Sequence, residues 1–164
     1  MTVLWVLAAL TVAADRAAKW IAQGAMAYGQ HIVALGGVLE LRLTHNTGMA
    51  LGLLSGYTAA GIVLPLLAVA AGVLILRKFR LSKFILAAAG LILGGFIGNF
   101  LDRVLLGYVV DMIYFPWLPF FICNVADIAI TAGAVLTGIS LLFRPGDWQA
   151  RGTEGTGNDP KSDG

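Results

Sequence analysis

Four long apolar stretches constrain the fold of this chain of 164 residues more than any other feature. They cover residues 2–24, 59–76, 84–101 and 128–143, and Pro65 interrupts the second. A helix that crosses a bilayer needs about 20 predominantly apolar residues, and shorter spans are accommodated by local bilayer thinning. With 59% hydrophobic and 12% charged residues, the chain also lies far from the composition of soluble domains. We therefore predict an all-α integral membrane protein with four transmembrane helices.

The first stretch could be mistaken for a signal peptide, because the small residues Val12-Ala13-Ala14 resemble a cleavage site. A basic segment ahead of it is missing, however, and Asp15 and Lys19 continue the helical pattern. We therefore expect this stretch to be retained as the first span.

A basic run between the second and third stretches predicts the orientation. Residues 77–83 carry four positive charges and no acid, and short loops of this kind stay on the cytoplasmic side. By alternation, both termini are predicted to be cytoplasmic, and residues 25–57 and 102–127 to face the outside. Because this run supplies much of the net charge of +2, the charge indicates membrane topology rather than a nucleic-acid partner.

The first outer segment has a different pattern from the spans. Leu39, Leu41 and Leu43 alternate with Glu40 and Arg42, which is the period of a strand with one wet face. We therefore predict a small extracytoplasmic β-sheet on the outer leaflet. Between spans three and four we predict an extracytoplasmic loop or helix.

The end of the chain differs again in composition. Beyond Arg144 it is rich in Gly, Asp, Thr and Ser and lacks apolar periodicity. We predict one integral membrane domain over residues 1–143, followed by a disordered cytoplasmic tail over residues 144–164.

Two aspartates occupy the most apolar surroundings in the chain. Asp111 and Asp127 lie sixteen residues apart, within GYVVDMIYF and FFICNVADIAITAG. A carboxylate inside a bilayer costs about 2.5 to 3.5 kcal/mol on insertion scales, so such an acid is a functional-site hypothesis. If the two side chains meet, they would share a proton, one activating water as a base while the other donates to a carbonyl oxygen. The alternative is that both acids only cap helices, as Asp127 would at the start of span four.

Three further polar residues lie near the proposed outer ends of the spans. Asn99 and Arg103 are four residues apart and share a helical face that could meet the acid pair. An arginine at this depth could equally reach toward lipid headgroups. Asn124 could orient Asp127 or simply cap its helix.

Asp15 and Lys19 form a pair of opposite charge, four residues apart on one face of the first helix. By itself this spacing is typical of a weakly stabilising interfacial contact. The pair could also hold the end of the first span against the outer sheet or a lipid headgroup.

The sequence offers no motif for metal or nucleophilic chemistry. Cys123 is the single cysteine, which excludes an intramolecular disulfide, and His31 and His45 belong to no metal-binding motif. The serines have no histidine or lysine neighbour of matching topology. We expect no metal and no cofactor, and we expect Cys123 to serve in packing.

Five short motifs together resemble the bacterial lipoprotein signal peptidases, the type II signal peptidases. The resemblance runs from Asp15 to Ile130, and any one motif alone would be weak. The motifs, in the family's order and with family-like spacing, are Asp15-Arg-Ala-Ala-Lys19, Asn46-Thr-Gly48-Met-Ala50-Leu-Gly52, Gly98-Asn99-Phe-Leu-Asp102-Arg103, Gly107-Tyr-Val-Val-Asp111 and Asn124-Val-Ala126-Asp127.

The resemblance implies an aspartic endopeptidase of the bacterial inner membrane, active near the extracytoplasmic face. Its partners would be membrane lipids and diacylglyceryl-modified prolipoproteins, which it would cut on the amino side of the lipidated cysteine to release the signal peptide. We expect it to act as a monomer. By matching position, Asp111 and Asp127 would be the catalytic pair, and Asp15 and Lys19 would be structural or close to the substrate. The residues that would support the pair or bind substrate are Asn46, Gly48, Asn99, Arg103, Asn124 and Ala126.

The chain departs from the family pattern without losing a polar catalytic group, so the departures bear only on the shape of the pocket. They are Met49, Leu51, Met112 and Cys123. Residues 114–122, which contain two prolines, are predicted to form a mobile lid over the site.

Two other classes of function stay open from the residues alone. One is a small transporter or proton channel that uses Asp111 and Asp127 as an ion relay. The other is a non-catalytic membrane scaffold whose acids cap helices.

Overall fold

The computed structural model describes residues 1–48, 58–119 and 121–151. All four apolar stretches form helices, as predicted: α1 is Thr2–Ala25, α2 is Thr58–Lys78, α3 is Lys83–Leu106 and α4 is Val125–Phe143. Among the described residues, α3 and α4 are long and apolar enough to cross a membrane. The departures Met49 and Leu51 lie outside the described residues.

Helix α3 packs against α1 on one face and against α4 on another. A Cβ on Gly94 would lie 2.6 Å from the carbonyl oxygen of Ala8 in α1, and one on Gly95 would lie 2.5 Å from that of Ala126 in α4. Glycine therefore permits both contacts, because any side chain would clash with a neighbouring backbone. Gly107 ends α3 in the left-handed conformation, with a φ of 81°. The last turns of α3 consequently lie between the end of α1 and the start of α4.

In the described residues, six strands form two antiparallel sheets, so this part of the chain is not purely helical. The strands are β1 His31–Ala34, β2 Leu39–Asn46, β3 Phe79–Leu81, β4 Val109–Tyr114, β5 Ile122–Cys123 and β6 Trp148–Ala150. The larger sheet has the order β1-β2-β4-β5, and the smaller one pairs β3 with β6. The larger sheet lies where α1 and α3 end and α4 begins.

The predicted strand around residues 39–43 is confirmed as the first part of β2. The prediction of a loop or helix between α3 and α4 is wrong, because β4 and β5 of that segment join the same sheet. Strand β4 is buried at all but one position and reads as a continuous apolar run around Asp111, so it lacks the alternation that marks β2. The proposed lid over residues 114–122 begins in β4 and ends in β5, and its residue Phe120 lies outside the described residues.

An apolar cluster fastens the larger sheet to the end of α1. Ala22 and Met26 of α1 pack against Leu43 of β2 and against Val110 and Met112 of β4. Burying such side chains contributes about 25 cal/mol for each Å² of apolar surface removed from water. The cluster therefore holds the strand that carries the first candidate acid next to α1.

The smaller sheet joins the connection between α2 and α3 to the chain beyond α4. Arg80 of β3 pairs with Gln149 of β6, and Pro145–Asp147 forms a short 3-10 turn before β6. The prediction of disorder from residue 144 is therefore wrong for the first part of the tail. Residues 152–164 lie outside the described part of the chain.

Candidate active site

Asp111 lies on β4 in a buried polar site. It is 1% exposed, and its backbone pairs with Thr44 of β2. Asn46 Nδ2 donates to Asp111 Oδ2 at 2.8 Å, and Asn124 Nδ2 donates to Asp111 Oδ1 at 2.6 Å. Burial and then the negative charge of Asp127 raise the pKa of Asp111 from 3.8 to about 7, although both amide donors oppose this rise. Near neutral pH the side chain therefore exchanges between its acid and carboxylate forms.

Asp127 lies in the first turn of α4 and is half-buried. Asn124 is the N-cap of α4, and the two residues form a capping box: Asp127 N donates to Asn124 Oδ1 at 2.9 Å, and Asn124 N donates to Asp127 Oδ2 at 3.3 Å. The capping interpretation of Asp127 is thus confirmed. It uses only one carboxylate oxygen, however, because Oδ1 accepts a 2.8 Å hydrogen bond from Asn99 Nδ2 of α3.

Two asparagines connect the aspartates. Besides donating to Asp111, Asn124 Nδ2 donates to Asn99 Oδ1 at 3.1 Å, and Asn99 donates onward to Asp127. A continuous hydrogen-bonded path therefore runs from Asp111 through Asn124 and Asn99 to Asp127. The structure brings together predicted residues from α3, β4 and α4 that are far apart in sequence.

Gly48 contacts the site through Asn46. Its backbone N–H donates to Asn46 Oδ1 at 3.0 Å. Because the amide oxygen is held in this way, the amide nitrogen of Asn46 is turned toward Asp111. The predicted supporting roles of Asn46 and Gly48 thus have a common geometric basis.

Arg103 and Ala126 lie at the margins of the site. Half-buried Arg103 donates from Nη1 to the carbonyl oxygen of Asn99, 3.2 Å away and one turn earlier in α3. Fully buried Ala126 donates its backbone N–H to Asp15 Oδ1 at 3.0 Å. The residue before Asp127 is thereby tied to α1.

Asp15 and Lys19 are fully buried, so the interpretation as a weak interfacial contact is wrong. Lys19 Nζ lies 2.7 Å from Asp15 Oδ2 and 2.7 Å from Asp102 Oδ2 of α3. Arg16, which is half-buried, pairs with the other carboxylate oxygen of Asp102. Sequence reasoning missed Arg16 and Asp102 as members of this cluster. The available signal was their charge at the end of an apolar stretch, where an unpaired ion is costly.

Cys123 is buried near the two acids, and burial raises the pKa of its thiol to about 12. The thiol therefore stays protonated near neutral pH, as the expected packing role requires. Within residues 1–48, 58–119 and 121–151, no three His, Cys, Asp or Glu side chains are grouped as metal ligands would be.

The chemistry available here is proton transfer. One buried acid has a pKa near neutrality, and a second, half-buried carboxylate lies at the other end of an amide path, which is a pairing suited to general acid–base catalysis. The pair lies at the ends of two membrane-length helices. Fold and site together define a membrane protein equipped for acid–base chemistry.

The family model described as signal peptidase (SPase) II matches residues 7–143 of the chain. The chain belongs to this family of bacterial membrane proteases that process lipoproteins. This membership favours a peptidase over the transporter and scaffold alternatives.

Relatives and solved structures agree with the family model. The lipoprotein signal peptidase of Symbiobacterium thermophilum is 36% identical over 141 residues, covering 84% of this chain and 93% of the relative. That of Brucella ovis is 40% identical over 131 residues, covering 77% of this chain and 81% of the relative. A solved bacterial membrane enzyme, determined by the in meso method, superposes with a TM-score of 0.79 at 31% identity, covering 87% of this chain and 88% of the other.

Proposed function

We propose that this protein is an aspartic endopeptidase that removes the signal peptide from diacylglyceryl-modified prolipoproteins, cutting on the amino side of the lipidated cysteine. Asp111 and Asp127 would be its catalytic pair. The observation that carries the proposal is the amide path that joins the two carboxylates across three elements of the fold. Family membership supplies the substrate class.

The difference in burial between the two acids suggests separate roles. Asp127 is half-buried and acts as the base that takes a proton from water, whereas fully buried Asp111, with a pKa of about 7, acts as the acid. Water oxygen bonds to the scissile carbonyl carbon while Asp111 gives its proton to the carbonyl oxygen. The proton held by Asp127 then passes to the amide nitrogen, the C–N bond breaks, and the gem-diol proton returns to Asp111. The products are a free carboxyl terminus and the amino group of the lipidated cysteine.

The remaining predicted residues support this chemistry in different ways. Asn46, with Gly48 behind it, holds one oxygen of Asp111. Asn99 and Asn124 hold one oxygen of each acid, and half-buried Arg103 is assigned to the substrate backbone beside them. Arginine suits that task because its planar group presents several donors in a fixed geometry.

The proposed arrangement in the membrane has four spans and cytoplasmic termini, with the site at the extracytoplasmic face of the bacterial inner membrane. It is supported by the basic residues 77–83, which lie at the end of the helices opposite Asp111 and Asp127. Residues 1–143 form the catalytic domain, which acts as a monomer. A lipid anchor would confine the cleavage site to the bilayer plane, so proximity would contribute much of the rate.

The test is cleavage of a purified diacylglyceryl-modified prolipoprotein by the detergent-solubilised protein, followed as a shift in size. We expect the wild-type protein to cleave and the Asp111→Asn and Asp127→Asn variants to be inactive while keeping their melting temperatures. Unchanged cleavage by either variant would remove that aspartate from the catalytic pair. Asp-dependent ion flux without processing would instead support the transporter.

A further inference from the structure

Lys19 is a buried cation with three acceptors, and none of them is a catalytic residue. Its side chain is 1% exposed. Nζ lies 2.7 Å from Asp15 Oδ2, 2.7 Å from Asp102 Oδ2 and 3.1 Å from Asn99 Oδ1. The contact with Asn99 Oδ1 is a hydrogen bond, and the two contacts with the carboxylates are ion pairs.

The two carboxylates that bind Lys19 also bind backbone N–H groups beside the catalytic pair. Asp15 Oδ1 accepts from Ala126 N at 3.0 Å, and Asp102 Oδ2 accepts from Val110 N at 3.1 Å. Ala126 immediately precedes Asp127, and Val110 immediately precedes Asp111. One ion cluster thus holds the chain at the position before each acid, on two separate elements.

Lys19 and Asn124 together orient an amide in the site, because both donate to Asn99 Oδ1 at 3.1 Å. Because Lys19 donates to Asn99 Oδ1, the oxygen side of that amide is turned toward α1, which leaves Nδ2 to donate to Asp127. A rotated amide would direct an oxygen, rather than an N–H group, at the carboxylate of Asp127. The polarity of the path between the two acids therefore depends on this lysine as well as on Asn124.

The fold leaves room for this cluster. A Cβ on Gly98 of α3 would lie 2.7 Å from Asp15 Oδ2. Arg16 pairs with Asp102, so the cluster contains two acids and two bases and is balanced in charge. Charge balance reduces the cost of burying these groups.

We propose that Asp15, Lys19 and Asp102 are positioning residues for peptide hydrolysis: the lysine joins two carboxylates that fix the backbone before each catalytic aspartate, and it orients the Asn99 amide between them. This inference rests on the proposed function. It differs from a purely structural role, because it predicts loss of turnover in a protein whose stability has been restored.

The test compares Lys19→Met with the double variant Asp15→Asn/Lys19→Met. The single variant leaves an excess buried carboxylate and is expected to lose stability. The double variant restores charge balance, and the asparagine introduced at position 15 can still accept from Ala126 N, so its melting temperature should recover. Its kcat should stay about 100-fold below wild type with KM within about threefold, because a methionine side chain has no proton to donate to Asn99 Oδ1 and leaves that oxygen held by Asn124 without the lysine.

A matched control removes a different ion pair from the same end of the molecule. Arg42 Nη2 lies 2.7 Å from Glu40 Oε2 on β2, and both side chains are partly exposed. The Glu40→Gln/Arg42→Met variant also loses one acid and one base, and its kcat should stay within about twofold of wild type.

All variants are assayed with the same lipidated prolipopeptide, next to Asp127→Asn. If the wild type cleaves, Asp127→Asn does not, and the restored double variant keeps full kcat, the positioning inference is overturned while the proposed function stands. If the wild type fails to cleave, or Asp127→Asn cleaves normally, the proposed function and the inference fail together.

Discussion

Each end of the helices holds a buried aspartate, Asp111 at the site end and Asp147 at the opposite end. The contacts made at the two ends differ in how far apart the partners lie in the chain. At the end opposite the site, Asp147 Oδ2 accepts from Arg144 Nε at 2.8 Å and from Ser140 Oγ at 2.7 Å, and Trp148 Nε1 donates to Ser140 Oγ at 3.1 Å. These partners lie close together in the chain. At the site end, the contacts Lys19–Asn99, Arg16–Asp102 and Ala126–Asp15 join residues 80, 86 and 111 positions apart.

The pKa values of Asp147 and Asp111, the buried aspartates at the two ends, are shifted in opposite directions. A hydrogen bond from Arg144 and then one from Ser140 lower the pKa of Asp147 to about 2, whereas burial and a second carboxylate raise the pKa of Asp111 to about 7. The Asp147 side chain is therefore a permanent anion. Its backbone carbonyl oxygen accepts from the N–H of Ser82 at 3.1 Å, and this contact fastens the chain beyond α4 to the start of α3. The comparison shows that hydrogen bonds from Arg144 and Ser140 keep Asp147 ionised, whereas burial beside a second carboxylate keeps Asp111 ready to exchange its proton.

Apart from substitution of the acids themselves, the largest effect that sharpens this comparison is expected from the polar residue next to the acid at each end. Asn99→Ala should lower kcat about 100-fold, because it breaks the path between the two aspartates. Ser140→Ala should leave kcat within about twofold and lower only the melting temperature. Steady-state kinetics with a lipidated prolipopeptide, combined with thermal unfolding of both variants, measures the contrast. Similar losses of kcat in the two variants would remove the distinction between the ends.

A change of pH is expected to have an intermediate effect on kcat/KM. If Asp111 must donate a proton, kcat/KM should fall about tenfold per pH unit above pH 7, because the protonated fraction declines. Asn46→Ala should move this decline to higher pH, since the Asn46 hydrogen bond lowers the pKa of Asp111. A pH–rate profile that is flat between pH 6 and pH 9 would exclude Asp111 as the acid.

The side chains of Asp111 and Asp147 should change the stability of the fold in opposite directions as pH rises. A raised pKa means that the contribution of Asp111 is present below its ordinary value of 3.8 and is lost as pH rises through about 7. A lowered pKa means that the contribution of Asp147 is present above 3.8 and is lost as pH falls through about 2. Melting curves of Asp111→Asn and Asp147→Asn across pH separate the two contributions.

The smallest effect is expected on stability, from the close packing of α1 on α3, the two helices that carry the charge cluster. Gly94→Ala places a methyl group 2.6 Å from the Ala8 carbonyl oxygen and should cost about 1 to 3 kcal/mol. Gly138→Ala in α4 is the matched control, because a Cβ there meets nothing within 4 Å, and it should be neutral or stabilise by up to about 1 kcal/mol. Thermal unfolding in detergent compares the two, and equal destabilisation would contradict the proposed close packing of α1 on α3.

The helices and the acid pair could be predicted from sequence because their signals are local. Each apolar stretch specifies a helix by itself, and Asp111 and Asp127 are conspicuous in apolar surroundings. The alternation in β2 likewise predicts one of the four strands of the larger sheet. The catalytic roles of the two acids stay predictions.

The missed features depend on contacts between distant segments. Strand β6 has three residues and is stabilised by pairing with β3, about 70 positions earlier, so nothing within residues 148–150 indicates a strand. Strand β4 is apolar on both sides of Asp111 and resembles a buried connector. The Asp15–Lys19 pair looks like a surface contact until α3 supplies Asp102, and only the fold shows that both ions are buried.

The most direct test of the central claim makes the same substitution at both ends. Asp127→Asn and Asp147→Asn are assayed with a diacylglyceryl-modified prolipopeptide, and their melting temperatures are measured in parallel. We predict that Asp127→Asn loses at least about 1000-fold in kcat with little change in melting temperature, while Asp147→Asn melts earlier and keeps its kcat. Near-wild-type cleavage by Asp127→Asn would contradict the account.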